Sequence, residues 1–273
     1  MNLSMRKVIA GGALLLCSAA ALAAPVTPPA TYTADQTSGG SGSGGLFVAV
    51  WDDSRGVSLV TYLGINMDQL LPATAEQTGF SLEFGTLSQF SSVFGASDDA
   101  NIRYALFGVD TLGVGNNGKR VLGTTTATAF SLTNGNVSGT AGNLDQFILG
   151  ALTAAVGNGG NGGANPAVAL STAEADSTSK ISWSSLGATA FNTTVGSALN
   201  MFLASSLSNN AGAQANVDFF NSEDGQRFGQ WLLSADGVLS YTAPAAVPLP
   251  AAAWLLLSGL AGLGAIGRRR ANA

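Results

Sequence analysis

The chain has 273 residues, of which only 10% are charged, and it contains no histidine. The missing histidine excludes Ser-His-Asp and Cys-His catalysis and the common zinc sites. Both chain ends are basic, which leaves six basic residues against all 16 acidic residues between them, a net charge of about −10. Such a body has few cations to replace the counterions of a phosphate backbone, so no nucleic acid partner is expected.

The first 23 residues have the three parts of a secretory signal peptide. Arg6 and Lys7 supply the positive region, residues 8–16 are apolar, and residues 21–23 read Ala-Leu-Ala, a small-x-small cleavage site. We expect signal peptidase to cut after Ala23 or one residue later. The only cysteine, Cys17, lies inside this segment, so the mature chain has no disulfide.

Residues 24–45 are rich in Pro, Thr, Ser and Gly and are predicted to be a flexible linker. A change of composition at Leu46 begins the body, which we place at residues 46–243. Apolar, β-branched and aromatic runs predict strands. They occupy residues 46–51, 57–65, 80–84, 102–110 and 120–130, and residues 231–242 form a hairpin around Asp236-Gly237.

Two segments of the body have the apolar spacing of a helix. Residues 143–156 place apolar side chains three and four positions apart, with Asn143 as the predicted N-cap. Residues 193–207 are interpreted as a second helix, and the glycine-rich residues 157–166 as a mobile loop. The fold class expected is mostly β: a single sandwich or jelly-roll-like pair of sheets with one or two short helices. An N-terminal signal helix and a C-terminal transmembrane helix are expected in addition.

Carboxylates supply the few candidates for chemistry in the body. Asp52-Asp53 and Asp98-Asp99 fall at turn positions, where Asp serves local hydrogen bonds, and this reading is preferred over catalysis. Four oxygen-bearing residues precede Gly225 and form a possible Ca²⁺ site, although their spacing departs from the 12-residue calcium loop. They are Asp218, Asn221, Glu223 and Asp224. The preferred interpretation is a solvated turn, with no catalytic residue and no cofactor other than possible Ca²⁺.

Three tryptophans of the body offer a different kind of site. Trp51, Trp183 and Trp231 each lie in or beside an apolar run. A platform for stacking sugars is one hypothesis, and packing in the core is the prediction we favour.

The last segment, residues 244–273, has the organisation of a membrane-targeting signal. Val247-Pro248-Leu249-Pro250 precedes 17 uncharged residues, 251–267, and then Arg268, Arg269 and Arg270. As a helix the uncharged stretch is about 25 Å long, close to the thickness of a hydrocarbon core. The arginines predict a cytoplasmic C-terminus and an exported body.

This order of motif, glycine-containing apolar helix and arginine cluster resembles the PEP-CTERM sorting tail of Gram-negative bacteria, in its VPLPA variant. The resemblance covers about the last 27 residues. It implies recognition by an exosortase, a transpeptidase-like membrane enzyme, and removal of the tail in or near Val247, Pro248, Leu249 and Pro250. Leu249 stands where the commoner form of the tail has Glu. A plain tail anchor is the alternative.

The expected function is that of a non-enzymatic exported protein with a structural or adhesive role. It is first held in the inner membrane, then sorted by exosortase to the cell surface or the exopolysaccharide matrix. A secreted glycan- or calcium-binding module is the alternative. A polysaccharide hydrolase would need two carboxyl groups in a cleft, about 5 Å or 6.5–9.5 Å apart.

Overall fold

A computed structural model of the chain describes residues 44–77, 79–157, 167–170, 191–222 and 224–245. The predicted signal helix, nearly all of the linker, the glycine-rich loop after Gly157 and the whole sorting tail lie outside the described residues. So do Glu223 and Trp183.

The described body is mostly β, as the sequence predicts. Its strands are β1 (Gly45–Asp52), β2 (Val57–Asn66), β3 (Ser81–Thr86), β4 (Ile102–Asp110), β5 (Arg120–Thr125), β6 (Ala167–Leu170), β7 (Thr193–Thr194), β8 (Leu199–Ser205), β9 (Asn216–Phe219), β10 (Gln230–Leu233) and β11 (Val238–Thr242). One long helix, α3 (Asn134–Gly157), accompanies them. Shorter helical segments are a 3₁₀ turn (Met67–Leu70), α1 (Pro72–Ala75) and α2 (Phe90–Phe94).

The described strands form one antiparallel sheet where the sequence predicts a pair of sheets. Their order is β3-β11-β10-β8-β5-β4-β1-β2-β6, with β7 beside β4 and β9 beside β8. Strands near opposite ends of this order share one apolar cluster, because Leu82 of β3 and Leu63 of β2 both belong to it. The sheet is therefore curled and nearly closed around that cluster.

Two cores lie on the two faces of the sheet. In β1, Leu46, Val48 and Val50 enter the inner core, which the curled sheet encloses. The alternate residues Phe47, Ala49 and Trp51 enter the outer core, which helix α3 covers through side chains such as Leu144 and Ile148. Burial on both faces explains why the central strands are apolar throughout instead of alternating with polar residues.

Helix α3 begins nine residues before its predicted N-cap, Asn143. Thr133 and Asn136 exchange the bonds of a capping box: Asn136 N donates to Thr133 Oγ1 at 3.2 Å, and Thr133 N donates to Asn136 Oδ1 at 3.0 Å. The first turns are rich in small residues that allow close packing. A Cβ atom on Gly135 would lie 3.1 Å from the Cβ atom of Ala211. The predicted 143–156 helix is thus the second part of a helix of 24 residues.

The predicted helix at residues 193–207 is wrong. The segment forms β7 and β8, and β8 sends Met201 into the inner core and Phe202 into the outer core. A strand that is apolar on both faces has no alternation, so its pattern is easily mistaken for that of a helix.

Other boundaries differ by a few residues. The strand predicted at residues 120–130 ends at Thr125, whose Oγ1 accepts a hydrogen bond from Ala127 N at 3.0 Å. β1 begins at Gly45, which the sequence places in the linker. The predicted hairpin of β10 and β11 is confirmed, and the predicted strands β1 and β2 also pair as a hairpin.

The described body begins at one end of the sheet, and its last strand, β11, runs toward that same end. Gly45 begins β1 beside the last residues of β4, since Phe47 lies opposite Phe107. Strand β11 runs in the same direction as β8, because β10 is antiparallel to both. Strand β11 therefore runs toward the end where β8 finishes. We call this the loop end, formed by residues 111–119 and 206–212.

Candidate functional site

The predicted oxygen-rich segment is a small hairpin that leaves the line of the sheet. Strands β9 and β10 both pair with β8, one after the other. Between them the backbone closes on itself, with Gly229 N donating to Phe220 O at 2.6 Å and Asn221 bridged to Phe228. We call residues 220–229 the side hairpin.

Asp224 is engaged in the turn of the side hairpin. Its Oδ1 accepts hydrogen bonds from Ser222 Oγ and from Gln226 N, and its Oδ2 lies 3.7 Å from Nη1 of Arg227. The hydrogen bonds from Ser222 and Gln226 lower the pKa of this exposed carboxyl. These contacts are those of the solvated turn that the sequence predicts.

Glu76, which sequence reasoning missed, lies beside the side hairpin. Its Oε1 accepts a hydrogen bond from the backbone N–H of Asn221 at 3.0 Å. Burial raises its pKa, and the negative charge of Asp218 raises it further despite that hydrogen bond. Glu76 is 145 residues from Asn221 in the chain, so no local pattern could have linked the two.

The structure thus brings Glu76 near Asp218 and the backbone of Asn221. Among the residues described, no group of three or more His, Cys, Asp or Glu side chains is placed to hold a metal ion. Carboxylate and backbone oxygens are nevertheless the ligand types that Ca²⁺ uses.

The two Asp pairs considered for hydrolysis serve turns. Asp52 Oδ1 accepts hydrogen bonds from Ser54 N at 2.9 Å and from Arg55 N at 3.3 Å. Its burial would raise the pKa, but hydrogen bonds from Ser54 and Ser97 and from backbone N–H groups outweigh burial and lower it. Asp98 Oδ1 accepts a bond from Ala100 N at 3.1 Å. The predicted turn role is confirmed at Asp52 and Asp98.

The two described tryptophans are core residues, as the sequence predicts. Trp51 is 1% exposed in the outer core and Trp231 is 0% exposed in the inner core. They lie on opposite faces of the sheet and share no surface, so together they make no sugar-stacking platform.

A charged cluster stabilises the loop end. Arg120 contacts Asp110 Oδ2 through Nε at 2.9 Å and Nη2 at 2.8 Å, and its Nη1 lies 3.0 Å from Asp68 Oδ1. Burial alone would lower the pKa of Arg120, yet the two carboxylates raise it. Asp110 Oδ1 also accepts a hydrogen bond from Leu112 N at 2.9 Å, which fixes the start of the loop after β4.

The loop end also carries most of the large exposed apolar side chains of the described body. Val114 is 80% exposed, Leu207 is 65% exposed and Leu112 is 59% exposed. The sequence gives no sign that the loop containing Leu207 lies beside residues 111–119.

The residues of the predicted sorting motif and of the arginine cluster lie outside the described residues. Within the part of the chain that is described, no helix has both the length and the apolar character needed to cross a bilayer.

The fold therefore defines a class: a mostly antiparallel β domain built on a nearly closed sheet with one long covering helix. Comparisons with known protein families, with curated proteins and with solved structures find no match for the chain.

Proposed function

We propose that the chain is an exported, non-enzymatic protein with a structural or adhesive role at the cell surface or in an exopolysaccharide matrix. The observation that carries this proposal is the pair of chain ends. Residues 1–23 have the form of a signal peptide, and residues 244–273 resemble a PEP-CTERM sorting tail of the VPLPA variant. Both ends predict an exported body.

The order of events follows from these ends. Signal peptidase removes the first segment, and the apolar residues 251–267 hold the body at the inner membrane. An exosortase then recognises Val247, Pro248, Leu249 and Pro250 and removes the tail.

The described body supports a role outside the cell. Its continuous sheet is covered by apolar side chains on both faces. The mature chain has no cysteine that oxidation could damage. The asparagine, serine and threonine side chains of its loops form hydrogen bonds to the backbone, such as Asn209 Oδ1 with Asn116 N and Asn117 N, both at 3.1 Å. A curled, nearly closed sheet of this kind suits display of surface loops.

The intact mass of the mature protein tests the proposal. It should be measured in surface, medium and membrane fractions of the native host. We expect surface and medium forms that begin near residue 24 and end near residue 250. A form that ends at Ala273 and occurs only in the membrane would identify a plain tail anchor.

A motif variant makes the test specific. Replacing Pro248 and Pro250 by Ala should leave the full-length precursor in the membrane fraction. The matched control replaces Pro28 and Pro29 of the linker by Ala and should be processed normally. Normal processing of the motif variant would show that these prolines are not the sorting signal.

A secreted calcium-binding or glycan-binding module is the second candidate function. The placement of Glu76 near Asp218 and the side hairpin favours the calcium form. Thermal unfolding should then shift upward when Ca²⁺ follows EGTA, and the shift should disappear in a Glu76→Gln, Asp218→Asn double variant. An unchanged melting temperature counts against calcium. Glycan binding should be measured directly on the host's exopolysaccharide, because Trp51 and Trp231 are buried.

A further inference from the structure

We propose that the loop end of the body is a membrane-contact surface, which rests on the bilayer that holds the C-terminal tail. Leu112, Val114 and Leu207 would enter the interfacial region of the lipid. The proposal rests on the proposed function, since it uses the membrane insertion of residues 251–267.

The exposed apolar side chains are held on two loops that are joined together. Gly118 N donates to Ser206 O at 3.0 Å, and Ser206 N donates to Lys119 O at 2.9 Å. Asn209 Oδ1 accepts hydrogen bonds from the backbone N–H groups of Asn116 and Asn117. The two loops are thus joined, and between them they present Leu112, Val114 and Leu207 to solvent; exposed apolar side chains that group on a surface are a feature of interaction sites.

The polar groups beneath these loops are already paired. Asp110 is 5% exposed, and its two oxygens are occupied by Leu112 N and by the guanidinium of Arg120. Contact with lipid at Leu112 therefore does not strip water from an unpaired carboxylate, a step that would cost several kcal/mol.

The sheet topology directs strand β11, the last strand before the tail, toward this surface. Thr242 lies opposite Gln230, which lies opposite Asn200. From there β8 runs five residues to Ser205 at the loop end, a distance of about 17 Å. β11 runs in the same direction as β8, so its last residue, Thr242, is directed toward the loop end.

The segment that joins the domain to the apolar residues 251–267 is too short to keep the domain far from the bilayer. Residues 246–250 separate Ala245 from the apolar segment, and when fully extended they span about 20 Å. A bilayer held this close is present at a high effective concentration, whereas a second copy of the chain must diffuse to the surface. This argues for lipid as the occupant. Side chains such as Leu and Val gain free energy when they enter the apolar side of the interface.

Site-specific fluorescence in vesicles tests the proposal. The mature full chain lacks cysteine, so single cysteines can be introduced by Val114→Cys at the loop end, Ala235→Cys at the opposite end and Leu256→Cys in the tail. Each is labelled with an environment-sensitive fluorophore and reconstituted into phosphatidylethanolamine–phosphatidylglycerol vesicles that carry nitroxide quenchers at the headgroup or along the acyl chain.

The proposal predicts a blue shift and headgroup-level quenching at position 114 and neither at position 235, which is exposed in the β10–β11 turn. Quenching at position 256 without quenching at position 114 would overturn the membrane contact and leave the anchor intact. Quenching at position 114 alone would support the contact and contradict the anchor, and quenching at neither position would contradict both.

Two other occupants of the loop end, a second copy of the chain and the chain's own tail, would give different fluorescence signals. A second copy would cause a concentration-dependent blue shift at position 114 that lipid nitroxides do not quench. A tail folded back on its own domain would cause a blue shift at position 114 without vesicles. Either result overturns the proposal.

Discussion

Arg120 and Asp110 lie directly opposite each other on paired strands, and two guanidinium nitrogens of Arg120 share one oxygen of Asp110 at 2.8 and 2.9 Å. The side chain of Asp110 is 7% exposed and that of Arg120 is 24% exposed. The pair closes the β4–β5 connection at the point where the apolar loops begin. The same ion pair therefore stabilises the pairing of β4 with β5 and holds the first residues of the loop that follows β4.

Removal of the arginine should destabilise the protein strongly. Arg120→Met leaves Asp110 as a buried charge without its partner, and we expect the free energy of unfolding to fall by about 3 kcal/mol. Denaturant titration followed by tryptophan fluorescence measures the loss, because Trp51 and Trp231 report on the two cores. The matched control is Asp68→Asn. Asp68 is 46% exposed in the same cluster, so its loss should cost less than about 1 kcal/mol. Equal effects of the two variants would contradict this account.

The capping box predicts a second effect on stability. Thr133→Ala removes the hydroxyl that accepts a hydrogen bond from Asn136 N at 3.2 Å, and we expect a loss of about 1 kcal/mol. Ser131→Ala, at an exposed position two residues earlier, should change the stability by less than about 0.5 kcal/mol. Both are measured by denaturant titration. If both variants match the parent chain, the helix start does not depend on this cap.

Alanine substitutions at two glycines distinguish the stability cost of backbone strain from that of side-chain crowding. Gly237 and Gly56 have φ of 78° and 63°, so alanine at either should cost about 1 kcal/mol. A Cβ atom on Gly237 would also lie 2.5 Å from Cγ of Phe90, whereas Gly56 has nothing within 4 Å. Gly237→Ala should therefore lower the melting temperature clearly more than Gly56→Ala. Similar losses would mean that Phe90 moves aside without cost.

The stability contribution of Glu76 should depend on pH. Its pKa in the folded state is raised above the ordinary value of 4.5, chiefly by burial and then by Asp218. The stability that the protonated form supplies is present below pH 4.5 and is lost as pH rises through the raised pKa. Glu76→Gln retains an oxygen for Asn221 N, so its stability relative to the parent chain should increase from about pH 4 to about pH 8.

Denaturant titrations across that pH range measure this difference. Asp218→Asn should reduce the pH dependence only in part, because burial is the larger cause of the raised pKa. A stability difference between Glu76→Gln and the parent chain that does not vary with pH would contradict the raised pKa.

Local patterns predict the parts of the fold whose cause is local. The β10–β11 hairpin follows from Asp236-Gly237 between two apolar runs, and Gly237 adopts the positive φ that such a turn needs. The turn role of Asp52 also follows from position alone, because its carboxylate bonds to residues two and three places along. In both cases the interacting groups are neighbours in the chain.

The incorrect predictions arise where partners are distant in sequence. Leu199, Met201 and Phe202 are apolar because β8 is buried between two cores, and periodicity cannot separate that pattern from a helix. The start of helix α3 depends partly on Asn134, whose side chain bonds to Ser208 and to the backbone of Leu207. Neither the burial of β8 nor the contacts of Asn134 with residues 207 and 208 exist until the sheet has formed.

Short stretches of sequence are enough to predict the β-rich character of the body, its β10–β11 hairpin and the expectation of export, because hydropathy, turn chemistry and terminal charge act over short segments. The tertiary structure alone decided that the strands join one curled sheet, that Glu76 meets the side hairpin, and that Leu112 and Leu207 lie on joined loops. These relationships depend on strand order and register, and the free energy that selects them comes from contacts between residues far apart in the chain.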